Sequence, residues 1–141
     1  MAPLRLVIAE DASLILVDLC EMAAHLGHSV VGTARDGLHA LELARLLKPD
    51  VVILDIQMPR LDGLSVAQHL ITERIAPVVV LTGYTHREFI EQAQALGVAA
   101  YLVKPVSEQA LGAAVERAFR QSGTAMQSSP LAMLYPAYSD S

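Results

Sequence analysis

Five residues of this 141-residue chain have side chains that could together handle a metal ion and a phosphate: Glu10, Asp11, Asp55, Thr82 and Lys104. Asp55 ends the apolar run "VVILD". A carboxylate is costly to hold there unless a cation meets it or a reaction requires it. Glu10 and Asp11 follow "LRLVIA", Thr82 closes "PVVVLT", and Lys104 follows "AAYLV". Three acids brought together repel one another, and one would stay protonated at neutral pH unless a cation intervened. Hard oxygen donors suit magnesium, which keeps several waters and takes only a few carboxylates beside phosphate oxygens. An ionised Asp55 next to such a cation can act as nucleophile toward phosphorus, giving an aspartyl phosphate. Lys104 and Thr82 can then hold the other phosphoryl oxygens by charge and hydrogen bonding.

That chemistry needs all five residues in one place, and the chain between them is patterned to do this. "LRLVIA" at 4–9 reads as a buried strand, and "EDASLILVDLCEMAAHLG" then turns helical, with Ile15, Leu19, Met22 and Leu26 on one face and Gly27 as its cap. "SVVGTA" is a second strand. In "DGLHALELARLLKP", Asp36 is the expected N-cap, Ala40, Leu43 and Leu47 share a face, and Pro49 ends the helix. The cycle repeats as strand "DVVILD", helix "DGLSVAQHLITER", strand "PVVVLT" and helix "HREFIEQAQALG", with Phe89, Ala93 and Leu96 aligned and Gly97 capping. It closes with strand "AAYLV" and, after "KPV", the helix "SEQALGAAVERAFRQ", whose buried stripe is Leu111, Ala114, Val115 and Ala118.

Five strand–helix units with strands apolar on both faces predict an α/β fold: a flavodoxin-like, doubly wound, five-stranded parallel sheet of order 2-1-3-4-5 with five helices. Such folds bind ligands outside the carboxyl ends of the strands, which is where all five residues fall.

The composition narrows the function classes. Hydrophobic residues at 53% against 18% charged residues fit a packed globular core. No apolar run approaches a bilayer span, and the N-terminus does not read as a signal peptide. The single cysteine, Cys20, excludes an internal disulfide framework and leads us to expect a cytoplasmic protein. A net charge of −5, ten dispersed Lys and Arg residues and 4% aromatics argue against direct nucleic-acid binding. The five histidines show no metal-ligand spacing, and Cys20 reads as a packed small hydrophobe.

Over about residues 4–120 the set resembles the receiver domain of two-component response regulators. "ED" at 10–11 matches the acidic pair, and "DIQMPRLDG" from Asp55 matches the pattern of acceptor, Met-Pro and Asp-Gly. "LTGY" carries a switch hydroxyl at Thr82, and "AYLVKP" carries a switch aromatic at Tyr101 and the lysine Lys104.

The resemblance implies that Asp55 accepts a phosphoryl group from a histidine kinase or a histidine phosphotransfer protein. Asp11, Asp55 and the main-chain carbonyl of Gln57 would hold Mg²⁺, with Glu10 reaching it through water. Lys104–Pro105 would be a cis peptide. On phosphorylation Thr82 would move toward the phosphate and Tyr101 would turn inward. That would reshape the face of the fourth helix, fifth strand and fifth helix for an as yet unknown protein target or for homodimerisation. Kinase docking would use the first helix, including Leu14 and Ile15. Bulky Tyr84, two positions past Thr82, would slow loss of the phosphoryl group by limiting access of water.

Two rivals fare worse. A haloacid-dehalogenase-type enzyme needs a second acid two residues beyond its nucleophile, and Gln57 stands there. A pseudo-receiver used only for binding would be expected to lack the acceptor or the acidic pair, and both are present. The segment "ITERIAPVVVLTGYTHREFIEQAQALGVAAYLVKP" resembles receivers of antitermination regulators, in which an RNA-binding helical domain follows. Residues 122–141 have no such composition. They read as a flexible tail containing Ser and Pro, within which "LAMLYPAY" could instead dock on an apolar groove. The expected organisation is a receiver over 1–121 and a tail over 122–141, acting by protein contact or as a phosphate relay.

Overall fold

The computed structural model describes residues 2–83 and 87–122. Along the chain run β1 (Arg5–Ala9), α1 (Ser13–His25), β2 (Ser29–Ala34), α2 (Gly37–Leu47) and β3 (Val51–Asp55). There follow α3 (Gly63–Thr72), β4 (Val78–Thr82), α4 (Arg87–Leu96), β5 (Ala100–Val103) and α5 (Glu108–Gln121). All strand pairs are parallel, in one sheet ordered β2-β1-β3-β4-β5, as the repeating pattern predicts.

The strands are apolar on both faces because both faces are covered. Successive side chains of β3 alternate between two core layers: Val52 and Leu54 pack with α2, α3 and α4, whereas Val51 and Ile53 pack with α1 and α5. β1 and β4 divide in the same way, with Val7, Val78 and Val80 on the first side and Leu6, Ile8, Val79 and Leu81 on the second. Truncating a residue such as fully buried Leu54 to alanine would cost about 2–5 kcal/mol, because the cavity could close only in part.

The caps explain where helices start. Asp36 accepts from the His39 N–H at 2.8 Å, Asp62 from Ser65 at 3.0 Å and Ser107 from Ala110 at 3.1 Å. Gly27 and Gly97 take positive φ just past α1 and α4, and Lys48 does so ahead of Pro49. α1 begins at Ser13, so Glu10, Asp11 and Ala12 stay outside it in the β1–α1 loop. The α4 stripe is rotated by one residue from the expected one: Ile90, Ala93 and Gln94 are buried, and Phe89 and Leu96 only half-buried. Both stripes contain Ala93, and a 3.6-residue period does not by itself decide which neighbour leads.

The register aligns the strand ends. Ala9 pairs with Leu54, Asp55 with Leu81 and Thr82 with Val103, which brings Glu10, Asp55, Thr82 and Lys104 to one edge. Among the described residues no helix is long and apolar enough to cross a membrane. Tyr84 and the "LAMLYPAY" segment lie outside the described residues.

Candidate phosphoryl and metal site

Glu10 and Thr82 are fully buried at the sheet edge, Asp55 is 3% exposed, and Asp11 is exposed. One carboxylate oxygen from each of Glu10, Asp11 and Asp55 lies within 4.8 Å of the others. Lys104 enters from β5. Its own N–H bonds the carbonyl of Thr82 at 2.7 Å, and the Lys104–Pro105 peptide is cis, as the resemblance implied.

The lysine side chain crosses the edge. Its Nζ lies 3.0 Å from Asp55 Oδ2 and 2.6 Å from Glu10 Oε1. The other oxygen of Asp55, Oδ1, accepts the Gln57 N–H at 3.0 Å, so the carboxylate is oriented through both oxygens. Glu10 Oε2 accepts the Ala12 N–H at 3.1 Å. Its Oε1 is buried and has no well-directed hydrogen bond; what it has is the charge contact with Lys104.

Burial raises the Glu10 pKa above the ordinary 4.5, and the neighbouring Asp55 adds to this, against the pull of Lys104 and the Ala12 amide. Burial would lower the pKa of Lys104, but its contacts with Glu10 and Asp55 outweigh that and raise it above 10.5. The ammonium is therefore present at neutral pH. Three carboxylates around one ammonium leave an excess of negative charge, and the two buried ones, Glu10 and Asp55, share that single ammonium. Glu10, Asp11 and Asp55 thus make a donor set that fits a hard divalent cation.

Tyr101 is 8% exposed and packs in the core layer beneath α2–α4. The β3–α3 loop returns tightly: the Gly63 N–H bonds the Ile56 carbonyl at 3.2 Å, and a Cβ on Gly63 would run into the carbonyl of Asp55. Arg35, at the end of β2, donates to the main-chain carbonyl of Asp11 at 2.9 Å. Sequence reasoning passed over Arg35, Gly37 and Arg60 around this site. The legible signal was the repeated Asp-Gly pair, 36–37 and 62–63, opening two helices beside the same loop.

Cys20 and His28 resolve as packing. Cys20 is half-buried, and burial pushes its thiol pKa up, away from nucleophile behaviour. His25, His39 and His69 are exposed on helices, but His28 is buried at the turn after α1, where its Nδ1 accepts the Leu4 N–H at 3.1 Å. A cavity of about 250 Å³ lies between α1 and the β5–α5 loop, lined by Ile15, Asp18, Leu19, Met22, Lys104 and Pro105 among others.

Comparison with known proteins places the chain in a family. The family model for the response regulator receiver domain matches residues 6–116. The transcriptional regulatory protein PdtaR of Mycobacterium tuberculosis is 50% identical over 116 residues, covering 82% of this chain and 57% of that protein. A protein-glutamate methylesterase/protein-glutamine glutaminase of Myxococcus xanthus is 42% identical over 112 residues, covering 76% of this chain and 31% of that protein. The chain therefore spans about half the length, or less, of these relatives. Among solved structures, the signal receiver domain of the response regulator NarL from M. tuberculosis superposes with a TM-score of 0.78 at 27% identity, covering 88% of this chain and 99% of that one.

Proposed function

The chain belongs to the response regulator receiver family, and from that membership we propose that Asp55 accepts a phosphoryl group in a magnesium-dependent reaction and that the modified protein signals by protein contact. One observation carries this reading: a nearly buried carboxylate, oriented through both oxygens, with Lys104 Nζ at 3.0 Å and two further acids within 4.8 Å. An aspartate held so at a sheet edge supports a role in attack rather than in packing.

In the proposed reaction an Asp55 oxygen forms a bond to phosphorus as the bond from phosphorus to a donor nitrogen, that of a phosphohistidine, breaks. The electron pair leaves on the imidazole nitrogen. Lys104 balances charge building on the phosphoryl oxygens, and the Thr82 hydroxyl is the neighbouring hydrogen-bonding group. Magnesium, when bound, offsets the repulsion between an anionic acceptor and an anionic phosphoryl group. Asp11, Asp55 and the Gln57 main-chain carbonyl would hold it, with Glu10 acting through water. The Gln57 N–H on Asp55 keeps that loop folded over the acceptor.

Thr82 and Tyr101 are assigned as the switch pair, with α4, β5 and α5 as the face read by a target or a second copy. The donor, a histidine kinase or phosphotransfer protein, would dock on α1. Leu14 is 83% exposed there and Val17 52%, and Ile15 of the same helix lines the cavity that reaches Lys104. Residues 1–121 are assigned to the receiver and 122–141 to a tail, in a cytoplasmic setting. We assign the chain a signalling role rather than an enzymatic one, although one relative's name denotes an esterase.

The test is intact mass after incubation with acetyl phosphate, with and without Mg²⁺, for wild type and Asp55→Asn. A magnesium-dependent gain of one phosphoryl group, absent in the variant, is expected. An unchanged wild-type mass alongside demonstrable Mg²⁺ binding would move a binding-only pseudo-receiver to first place.

A second reading has its own observation. The chain is 50% identical to part of a transcriptional regulatory protein and spans 57% of it. It could therefore be the receiver of a longer transcription regulator, including an antitermination regulator with an RNA-binding output domain.

A further inference from the structure

Two loops carry the residues assigned to magnesium: β1–α1, with Asp11, and β3–α3, with Gln57. A single tripeptide running from the end of β2 into the start of α2, Arg35-Asp36-Gly37, touches both. Arg35 Nη2 donates to the Asp11 carbonyl at 2.9 Å. The Gly37 N–H, otherwise an unpaired donor at a helix start, bonds the Pro59 carbonyl at 3.2 Å. Asp36 caps α2 through Oδ1 and, through Oδ2, meets Arg60 Nη1 at 3.4 Å. Arg60 has φ of 74°, a left-handed conformation that a non-glycine residue keeps only where its surroundings hold it. A Cβ on Gly37 would overlap the carbonyl of Leu61, so the helix start and the loop are in main-chain contact.

We propose that Arg35-Asp36-Gly37 is a clasp that sets the spacing between the Asp11 loop and the Gln57 loop, and through it the affinity for the divalent cation. The proposal rests on the magnesium reading above. None of the three residues is assigned as a ligand; they are positioning residues. The clasp acts from both sides: the guanidinium pins one loop from beyond β2, and the first turn of α2 abuts the other. Loosening either side leaves the ligands in place chemically but lets them drift apart, so cation binding must reorder the loops as well as neutralise charge.

The experiment is a Mg²⁺ titration of the metal-free protein followed by NMR chemical shifts, with thermal melting in EDTA as the control for folding. The variants are Arg35→Ala, Arg35→Lys, Gly37→Ala and, on α2 away from the edge, Arg45→Ala. Expected is a weakening of Mg²⁺ affinity by about tenfold in Arg35→Ala, the low end of the cost of losing an outer hydrogen-bond partner in a metal site. Its metal-free melting temperature should stay near wild type, because the Arg35 side chain is exposed. Arg35→Lys should recover part of the affinity, and Arg45→Ala should bind as wild type does. Gly37→Ala should weaken binding further and also lower the melting temperature. Wild-type affinity in a folded Arg35→Ala would overturn the clasp while leaving the magnesium reading standing. A wild type that binds no Mg²⁺ would overturn both.

Discussion

Gly63, the first residue of α3, stands so close behind Asp55 that a side chain on it would enter the space of the Asp55 main-chain carbonyl. The Asp-Gly pair at 62–63 therefore does two jobs. Asp62 starts α3 by accepting the Ser65 N–H, and Gly63 lets that helix start directly behind Asp55. Gly63→Ala should destabilise the fold by about 2 kcal/mol or more, since main chain cannot yield as a flexible side chain would. In any folded fraction, phosphorylation of Asp55 should slow. Urea unfolding together with phosphoryl uptake from acetyl phosphate would check this, and unchanged values in both would contradict the close approach.

On the proposed reading, Lys104 would compete with a metal for the same carboxylates. Its ammonium lies 2.6 Å from Glu10 and 3.0 Å from Asp55, so a Lys104→Ala variant should bind Mg²⁺ more tightly than wild type. It should nevertheless accept phosphate far more slowly, having lost the cation that faces the phosphoryl oxygens. Calorimetric Mg²⁺ titration and the mass assay separate the two effects. Weaker metal binding in the variant would mean that Lys104 organises the acids more than it competes for them.

His28 should make the protein acid-sensitive. Burial lowers its pKa below the ordinary 6.5, and its Nδ1 must be unprotonated to accept the Leu4 N–H. A depressed folded-state pKa contributes stability that is fully present above 6.5 and is lost as pH falls through the lower, folded value. His28→Gln should flatten that part of the stability–pH curve while lowering stability at neutral pH. Melting temperatures across the acid range would show it, and parallel curves for the two proteins would refute it.

If the donor docks on α1 as proposed, Leu14 should separate one kind of donor from another. It is 83% exposed on α1, so Leu14→Asp should change stability by no more than about 0.5 kcal/mol. Uptake from acetyl phosphate should be untouched, because a small donor needs no helix to dock on. Transfer from a cognate histidine kinase should fall markedly. Equal transfer rates from the kinase to both proteins would remove α1 from the docking surface.

Much of this architecture was legible in the residues themselves. Strands such as "VVILD" are apolar throughout because both faces are covered, and helix caps such as Asp36 and Ser107 announce themselves by type and place. Alternation of strand and helix then puts Glu10, Asp55, Thr82 and Lys104 at one edge, because in a parallel sheet every strand ends on the same side. Residue types in order were thus enough for the fold class and for which groups gather at that edge. Which partner each group meets depends instead on how the distant segments pack. Lys104 bridges Glu10 and Asp55 across 94 and 49 residues of chain. Arg35 reaches Asp11, and Gly37 and Gly63 touch main chain that no local pattern places beside them. The stripe of α4 was likewise settled by packing, which chose Ile90 over Phe89. Periodicity and capping act within a few residues and can be read from types in order; side-chain partners and main-chain contact between loops depend on where distant segments come to rest.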